Sequence, residues 1–313
     1  MSKDSSYRGR LAPSPTGYLH VGHARTFWTA YERARDAGGT LVMRMEDLDL
    51  QRSRPVYADA ALEDLRWLGI EWQEGPGIGG PFAPYEQSRR RDLHLAAWRR
   101  LHQLGVIYPC RCSRKDLEAA IFAPHENSPV DEDDEPIYPG TCRPPDSNLA
   151  SGSAIDQPDP STPEGQNWRF AVPIGEEITY IDQNLGPQRF IAGRDFGDFL
   201  IWRRDGSSGS QRTGPGPWGI GMPSYQLACV VDDAAMQITE VVRGADLLKS
   251  TARQILLNRA LGCENPAWFH CALVMNSQGQ RLAKRHDALG IRTLRERGLT
   301  PAEILFGEIQ KEA

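Results

Sequence analysis

The chain has 313 residues, 40% apolar and 25% charged, with a formal net charge of -5 and a mean hydropathy of -0.50, enough apolar mass for one large core or two medium ones. No stretch approaches the roughly 18 to 20 apolar residues of a membrane helix, and the opening MSKDSSYRGR lacks the apolar core of a secretory signal, so a cytoplasmic protein is expected. Six cysteines, three of them between positions 110 and 142, do not read as a disulfide framework in a chain this long; metal ligation or plain burial is the better expectation.

In chain order, an extended run at 8–12 leads through a Pro/Gly turn to a helical pattern at 24–35 and an apolar strand at 41–45, a βαβ unit. Helical patterns follow at 56–68 and 87–104, the latter with Leu93, Ala96, Ala97, Leu101 and Leu104 on one stripe. Residues 124–165 hold nine of the 23 prolines, ten acidic residues and a single basic one, Arg143, a net of -9 that leaves +4 for the rest of the chain. This composition reads as insertion and loop, and the run 131–135 as a solvated surface that would repel phosphate. Short extended pieces at 168–172, 177–181, 188–191 and 199–203 suit an antiparallel or mixed element. The alternation then resumes with a strand at 237–242, a helix at 247–261 closed by Gly262, and a strand at 271–275. The expected fold is α/β, a Rossmann-type doubly wound parallel sheet split by a smaller inserted subdomain. The expected organisation is 1–109 and 196–290 as the two halves of the core, 110–195 as the insertion, and 291–313 as a short helical C-terminal segment.

Between the first strand and first helix lies Pro13-Ser14-Pro15-Thr16-Gly17-Tyr18-Leu19-His20-Val21-Gly22-His23. Such a turn sits at a strand's carboxyl end and a helix N-terminus, where unpaired N–H groups and the helix dipole favour phosphate, and His20 and His23 add donors. An H-x-x-H spacing taken alone fits a helix cap or a stray metal equally well. Cys110-Arg111-Cys112 and Tyr138-Pro139-Gly140-Thr141-Cys142 supply three thiolates and a phenol, four ligands able to close a tetrahedral structural zinc; His125 is a substitute for Tyr138. Cys229, Cys263 and Cys271 lie in apolar patterns and read as buried.

The stretch Arg10-Leu11-Ala12-Pro13-Ser14 through Arg25 resembles the opening of the glutamyl-tRNA synthetases, class I aminoacyl-tRNA synthetases, with His20-Val21-Gly22-His23 standing for their "HIGH" element. Arg44-Met45-Glu46-Asp47, Tyr225-Gln226-Leu227-Ala228, Val230-Val231-Asp232-Asp233 and Val242-Arg243-Gly244-Ala245-Asp246 are similar to further family motifs in the family's order. Arg281-Leu282-Ala283-Lys284-Arg285 resembles the mobile "KMSKS" loop, with Ala283 in place of its serine and Arg281 in place of its first lysine. Only 28 residues follow Arg285, so no anticodon-reading helical domain is expected, as in the family's shortened members that glutamylate the queuosine base of tRNA(Asp).

The resemblance implies ATP-dependent activation of L-glutamate, with Mg2+ accompanying ATP, and transfer to tRNA(Asp) carrying queuosine. It assigns amino-acid contacts to Arg10, Leu11, Ala12, Pro13, Ser14, Glu46, Tyr225 and Arg243, and ATP contacts to His20, Gly22, His23 and Lys284, with His20, His23 and Lys284 catalytic. It also implies that Cys110, Cys112, Tyr138 and Cys142 hold zinc. The chemistry agrees: Glu46 suits an ammonium, and the planar forks of Arg10 and Arg243 suit carboxylates. Glu46, Asp47 and Asp49 also form a conceivable magnesium cluster. The alternatives are a shortened synthetase that charges a tRNA 3′ end and a non-catalytic protein that binds adenylate or tRNA.

Overall fold

Strands β1 (Arg8–Leu11) and β2 (Thr40–Met43) run parallel, Arg8 opposite Thr40 and Leu11 opposite Met43, and each buries its last three residues, as strands covered on both faces must. Helix α1 (Val21–Asp36) crosses between them and turns Val21, Ala24, Ala30 and Ala34 inward, small side chains that let it lie close to the strands. Gly38, at φ +60°, supplies the left-handed residue that brings the chain back into β2. The computed structural model describes residues 6–112, 137–145, 162, 163, 165–204, 221–274 and 290–307.

The second half repeats this plan. Strands β9 (Glu240–Gly244) and β10 (Ala267–Cys271) pair in parallel across helix α5 (Leu248–Leu261), which Gly262 closes in the left-handed conformation at φ 72°. The halves are stitched through β1: Thr239 N donates to Arg8 O at 2.9 Å, and Arg10 Nη1 to Val242 O at 2.9 Å. Helix α2 (Pro55–Trp67), α6 (Ile291–Glu296) and α7 (Pro301–Phe306) cover the first half, sharing a core with Leu65, Ile291, Leu294 and Ile304. Among the described residues no helix is long and apolar enough to cross a membrane.

The α/β, Rossmann-type expectation holds in the parallel pairs β1–β2 and β9–β10, but the sheets are mixed and do not form one doubly wound parallel sheet. A hairpin of β5 (Glu177–Asp182) and β6 (Gly186–Ile191) is antiparallel within itself, yet β5 runs parallel to β10, giving the order β6-β5-β10-β9. A separate antiparallel sheet orders β3 (Ile107–Cys110), β4 (Asn167–Phe170), β7 (Phe199–Arg203) and β8 (Met222–Pro223). Among the described residues, the strands of segment 110–195 are thus shared between two sheets and do not form one of their own.

Three local expectations shift for identifiable reasons. The strand expected at 237–242 starts at Glu240, because Gln237 takes φ 56° in the turn that follows α4 (Tyr225–Ala235). The strand expected at 271–275 lies at Ala267–Cys271, where the buried positions are Trp268 and a histidine, His270, which an apolar pattern hides. The helix expected at 87–104 splits into a 3-10 turn at Gln87–Arg89 and helix α3 (Arg91–Gln103). Its inward face is His94, Leu95, Trp98 and Leu101, whereas Leu93 and Leu104 are exposed.

The polar inward face has a single cause. Asp232 of α4 has no exposure and receives Arg90 Nε at 2.7 Å, Gln87 Nε2 at 2.9 Å and contact from His94 Nε2 at 3.2 Å. Burial pushes its pKa up, but the His94 hydrogen bond and the charges of His94, Arg44 and Arg90 outweigh that and leave it below its ordinary value. A lowered carboxylate pKa stabilises the fold at neutral pH, and that contribution is lost as pH falls below about 4. Asp232→Asn leaves Arg90 buried without its counter-charge and is expected to cost about 3–5 kcal/mol in urea unfolding at pH 7; a loss under about 1 kcal/mol would show that the pair is not what holds α3 to α4.

Candidate active site

The turn between β1 and α1 is built by its histidines. His20 is the N-cap of α1: its Nδ1 accepts Gly22 N at 3.1 Å, and Nδ1 of His23 accepts His20 N at 3.3 Å, a reciprocal capping box made of two imidazoles. The rings stack with centroids 3.7 Å apart. Because both Nδ1 atoms accept backbone N–H groups, each neutral ring carries its proton on Nε2 and offers a donor there. Gly22 is required by this packing, since a Cβ at that position would sit 2.9 Å from His20 Cε1 and 3.1 Å from Nδ1.

Beside this turn an open recess of about 430 Å³ is lined by Gly22, Arg25, Thr26 and Thr29 of α1 and by 271–274 at the end of β10. Gly290 is bridged to His20, and Ile291 N donates to Leu19 O at 2.9 Å, so the chain following 275–289 returns to the same turn. Lys284, with Arg281 and Ala283, lies outside the described residues, as do His125 and the acidic run 131–135.

Behind the turn is a buried cluster of charges. The backbone 11–13 runs beside 44–46, with Arg44 N donating to Leu11 O and Glu46 N to Pro13 O; the Leu11 side chain belongs to the core, Ala12 is half-buried, Pro13 buried and Ser14 exposed. Arg44, with no exposure, gives Nη1 to Asp233 Oδ1 at 2.6 Å and Nη2 to Glu46 Oε1 at 3.0 Å. Arg10 Nε lies 3.6 Å from the same Asp233 oxygen and is a buried donor without a hydrogen bond. Cys229 donates its thiol to Glu46 Oε1 at 3.4 Å, and burial, followed by the charge of Glu46, holds that thiol protonated.

Tyr225 and Arg243 complete the cluster. Burial pushes the Tyr225 phenol above its ordinary pKa, and it feels Cys229, Arg243, Glu46 and Arg10, which places all five groups in one electrostatic neighbourhood. Arg243 spends all five N–H donors: Nη1 on Tyr225 Oη at 3.3 Å and Gln254 Oε1 at 2.9 Å, Nη2 on Thr251 Oγ1 at 2.7 Å and Leu247 O at 3.4 Å, and Nε on His270. Arg44 and Asp233 occur in the quoted motifs, but no local pattern marks them as partners; Cys229 reads only as a buried apolar position. Glu46, Asp47 and Asp49 do not converge: Asp47 takes the backbone and hydroxyl of Ser88, and Asp49 takes Arg52.

A second cluster lies at the edge of the antiparallel sheet. The Sγ atoms of Cys110, Cys112 and Cys142 lie within 4.8 Å of one another; Cys112 to Cys142, and Tyr138 Oη to Cys110 and Cys112, are each 3.6 Å. These spacings match the edge of about 3.8 Å expected between thiolates around a tetrahedral zinc at about 2.3 Å. Arg169, unmarked in the sequence, donates Nε to Cys110 Sγ at 3.3 Å and lies 3.8 Å over the Tyr138 ring, a cation facing the cysteine–tyrosine cluster. Arg143 ties the Cys142 arm to the sheet through Asp198 Oδ1 at 2.6 Å.

Comparison with known proteins places this arrangement. The family model for the catalytic domain of class I tRNA synthetases (E and Q) matches residues 6–135 and 218–309, and the chain belongs to that family, whose members are ATP-dependent ligases. Within it the chain is similar to the glutamyl-Q tRNA(Asp) synthetase of Symbiobacterium thermophilum, 46% identical over 95% of this chain and 84% of the relative. It is likewise similar to that of Nitratidesulfovibrio vulgaris, at 44% over 95% and 83%. The solved glutamate tRNA ligase of Elizabethkingia meningosepticum, in complex with its amino acid, superimposes with a TM-score of 0.68 at 28% identity; the match covers 90% of this chain and 52% of that one, so the chain spans about half its length.

Gly22→Ala is expected to displace the His20 ring and lower ATP–pyrophosphate exchange about tenfold or more, while unfolding free energy changes by no more than the ~1 kcal/mol of a helix cap. An exchange rate equal to that of the parent enzyme would show that the ring position is immaterial.

Proposed function

We propose that this enzyme activates L-glutamate with ATP and transfers the glutamyl group to the queuosine base in the anticodon of tRNA(Asp). The observation that carries the reading is likeness over nearly the whole chain to relatives named for that activity, 44% and 46% identical. The paired histidine turn and buried charge cluster agree with it.

In the first half-reaction the α-carboxylate of glutamate attacks the α-phosphate of ATP and pyrophosphate leaves. Glu46, held in place by Arg44, pairs with the substrate ammonium. Arg10 and Arg243 take carboxylates, with Tyr225, Ser14 and the backbone of Leu11, Ala12 and Pro13 completing the pocket. His20 and His23 offer Nε2–H donors to the ATP phosphates beside Gly22, and Lys284 stabilises charge as pyrophosphate departs. Mg2+ travels with ATP on its phosphates. A mixed-charge amino acid is thereby held by counter-charges already fixed before it arrives, which lowers reorganisation during attack.

Cys110, Cys112, Tyr138 and Cys142 hold a structural zinc, with the Arg169 guanidinium offsetting part of the ligands' negative charge. In this reading the metal sits beside the antiparallel sheet of β3, β4, β7 and β8, while β5 and β6 of the 110–195 segment join the sheet of β9 and β10, and α6 and α7 lie within 291–306. A cytoplasmic location follows from a tRNA substrate.

Labelled glutamate incubated with ATP and tRNA from cells with and without queuosine tests the reading: label is expected only on queuosine-containing tRNA(Asp), and label on the 3′ end of queuosine-free tRNA would overturn it. Metal analysis of protein purified without chelator is expected to find about one zinc per chain, and less than ~0.2 would remove the metal from the account.

A further inference from the structure

His270 is a fully buried histidine that the reaction above does not use. Its Nε2 lies 3.2 Å from Arg243 Nε, a cation facing an imidazole in the interior, which is stable only if the ring is neutral and its lone pair points at the guanidinium. The other side of the ring explains how that state is fixed. Nδ1 lies 2.5 Å from Asp182 Oδ2, and Asp182 is 1% exposed. An ionised carboxylate at that distance takes the Nδ1 proton in a hydrogen bond, so Nε2 is left bare as an acceptor.

Asp182 itself is pinned from several directions. Its Oδ1 accepts the backbone N–H of Asn184 at 3.0 Å and of Leu185 at 2.8 Å, and its Oδ2 that of His270 at 3.1 Å. Burial favours the protonated acid, but these hydrogen bonds together with that of His270 keep its pKa below the ordinary carboxylate range. Burial and the Arg243 charge push His270 down to about 4, in spite of Asp182. Thr251 Oγ1 closes the arrangement, 2.7 Å from Arg243 Nη2 and 3.1 Å from His270 Nε2.

We infer that Asp182 and His270 are positioning residues that orient the Arg243 guanidinium through a fixed imidazole tautomer, so that the β5–β6 hairpin helps to build the substrate-carboxylate site. This rests on the proposal that Arg243 binds a glutamate carboxylate. The chain of contacts spans three strands, β5, β10 and β9, and joins residues 88 and 27 positions apart.

Asp182→Asn tests the tautomer directly. The amide oxygen is needed at the Oδ1 position, where the N–H groups of Asn184 and Leu185 converge and which the His270 N–H, at 3.1 Å from Oδ2, also reaches at 3.3 Å, so the amide nitrogen falls opposite Nδ1. The ring then accepts there and carries its proton on Nε2, aimed at Arg243. The expected result is a rise of about tenfold or more in KM for glutamate in ATP–pyrophosphate exchange, with KM for ATP within about twofold of the parent. His270→Gln, which retains one donor and one acceptor, is expected to be restored towards the parent relative to His270→Leu. Nitrogen NMR of the imidazoles reads the relay without any substrate: Nδ1 of His270 protonated and Nε2 bare in the parent, inverted in Asp182→Asn.

A parent protein with His270 Nε2 protonated, or variants in which the KM values for glutamate and ATP rise together, would overturn the relay. Absence of glutamate exchange in the parent would overturn the functional reading instead, and the NMR result then decides the relay by itself.

Discussion

A guanidinium with no exposure to water, Arg44, sits between Glu46 and Asp233, and much of the molecule is arranged to permit it. Burial by itself would drive the charge off, but the two carboxylates outweigh that and hold the group ionised. Asp233 also lies close to Arg10, so two arginines from the first half of the chain share one carboxylate from α4. Removing any one member leaves an unbalanced charge in a medium that solvates it poorly. The constraint therefore works in two directions: it locks β1, β2 and α4 together, and it fixes the Glu46 carboxylate before any ligand arrives.

The adjacent acidic residues of the same helix divide this labour. Asp232 gathers Arg90, Gln87 and His94 and seats α3, while Asp233, one residue along, faces the strands. Two neighbouring carboxylates on a helix point about 100° apart, so each serves a different partner layer. The charge cluster around Arg44 and the supporting helix α3 are thus adjusted by one short stretch of chain, and a backbone shift in α4 would be felt at both.

Much of this was legible in the residues. The βαβ opening, the helix ended by Gly262 and the grouping of Cys110, Cys112, Tyr138 and Cys142 follow from periodicity, a left-handed glycine and ligand spacing. The capping of α1 by His20 is also local, three residues wide. What escaped was long-range pairing of polar residues. His94 faces inward on α3 because its partner Asp232 lies 138 positions away, and Trp98 because it packs edge-on against Trp168; no helical stripe of leucines reveals either. Segment 177–191 has an alternating pattern that any half-buried hairpin would show; only its contact at Trp268 opposite Asp182 assigns it to the sheet of β9 and β10. Arg169 carries no local sign of its role, since its cysteine and tyrosine partners come from other segments.

The five satisfied donors of Arg243 bear on selectivity. The contacts to Tyr225 and Leu247, at 3.3 and 3.4 Å, are the longest of the set and the least costly to exchange. A ligand entering there gains nothing in the number of hydrogen bonds; it substitutes a charged acceptor for neutral ones. A carboxylate, with acceptors only, makes that exchange on both oxygens. A primary amide of the same shape turns N–H groups toward a guanidinium that has only N–H groups to offer, leaving donor facing donor in a dry pocket. Glutamate and glutamine differ by just that replacement, so, on the proposal that Arg243 takes the side-chain carboxylate, a fully occupied arginine separates the acid from its amide more sharply than one with donors to spare.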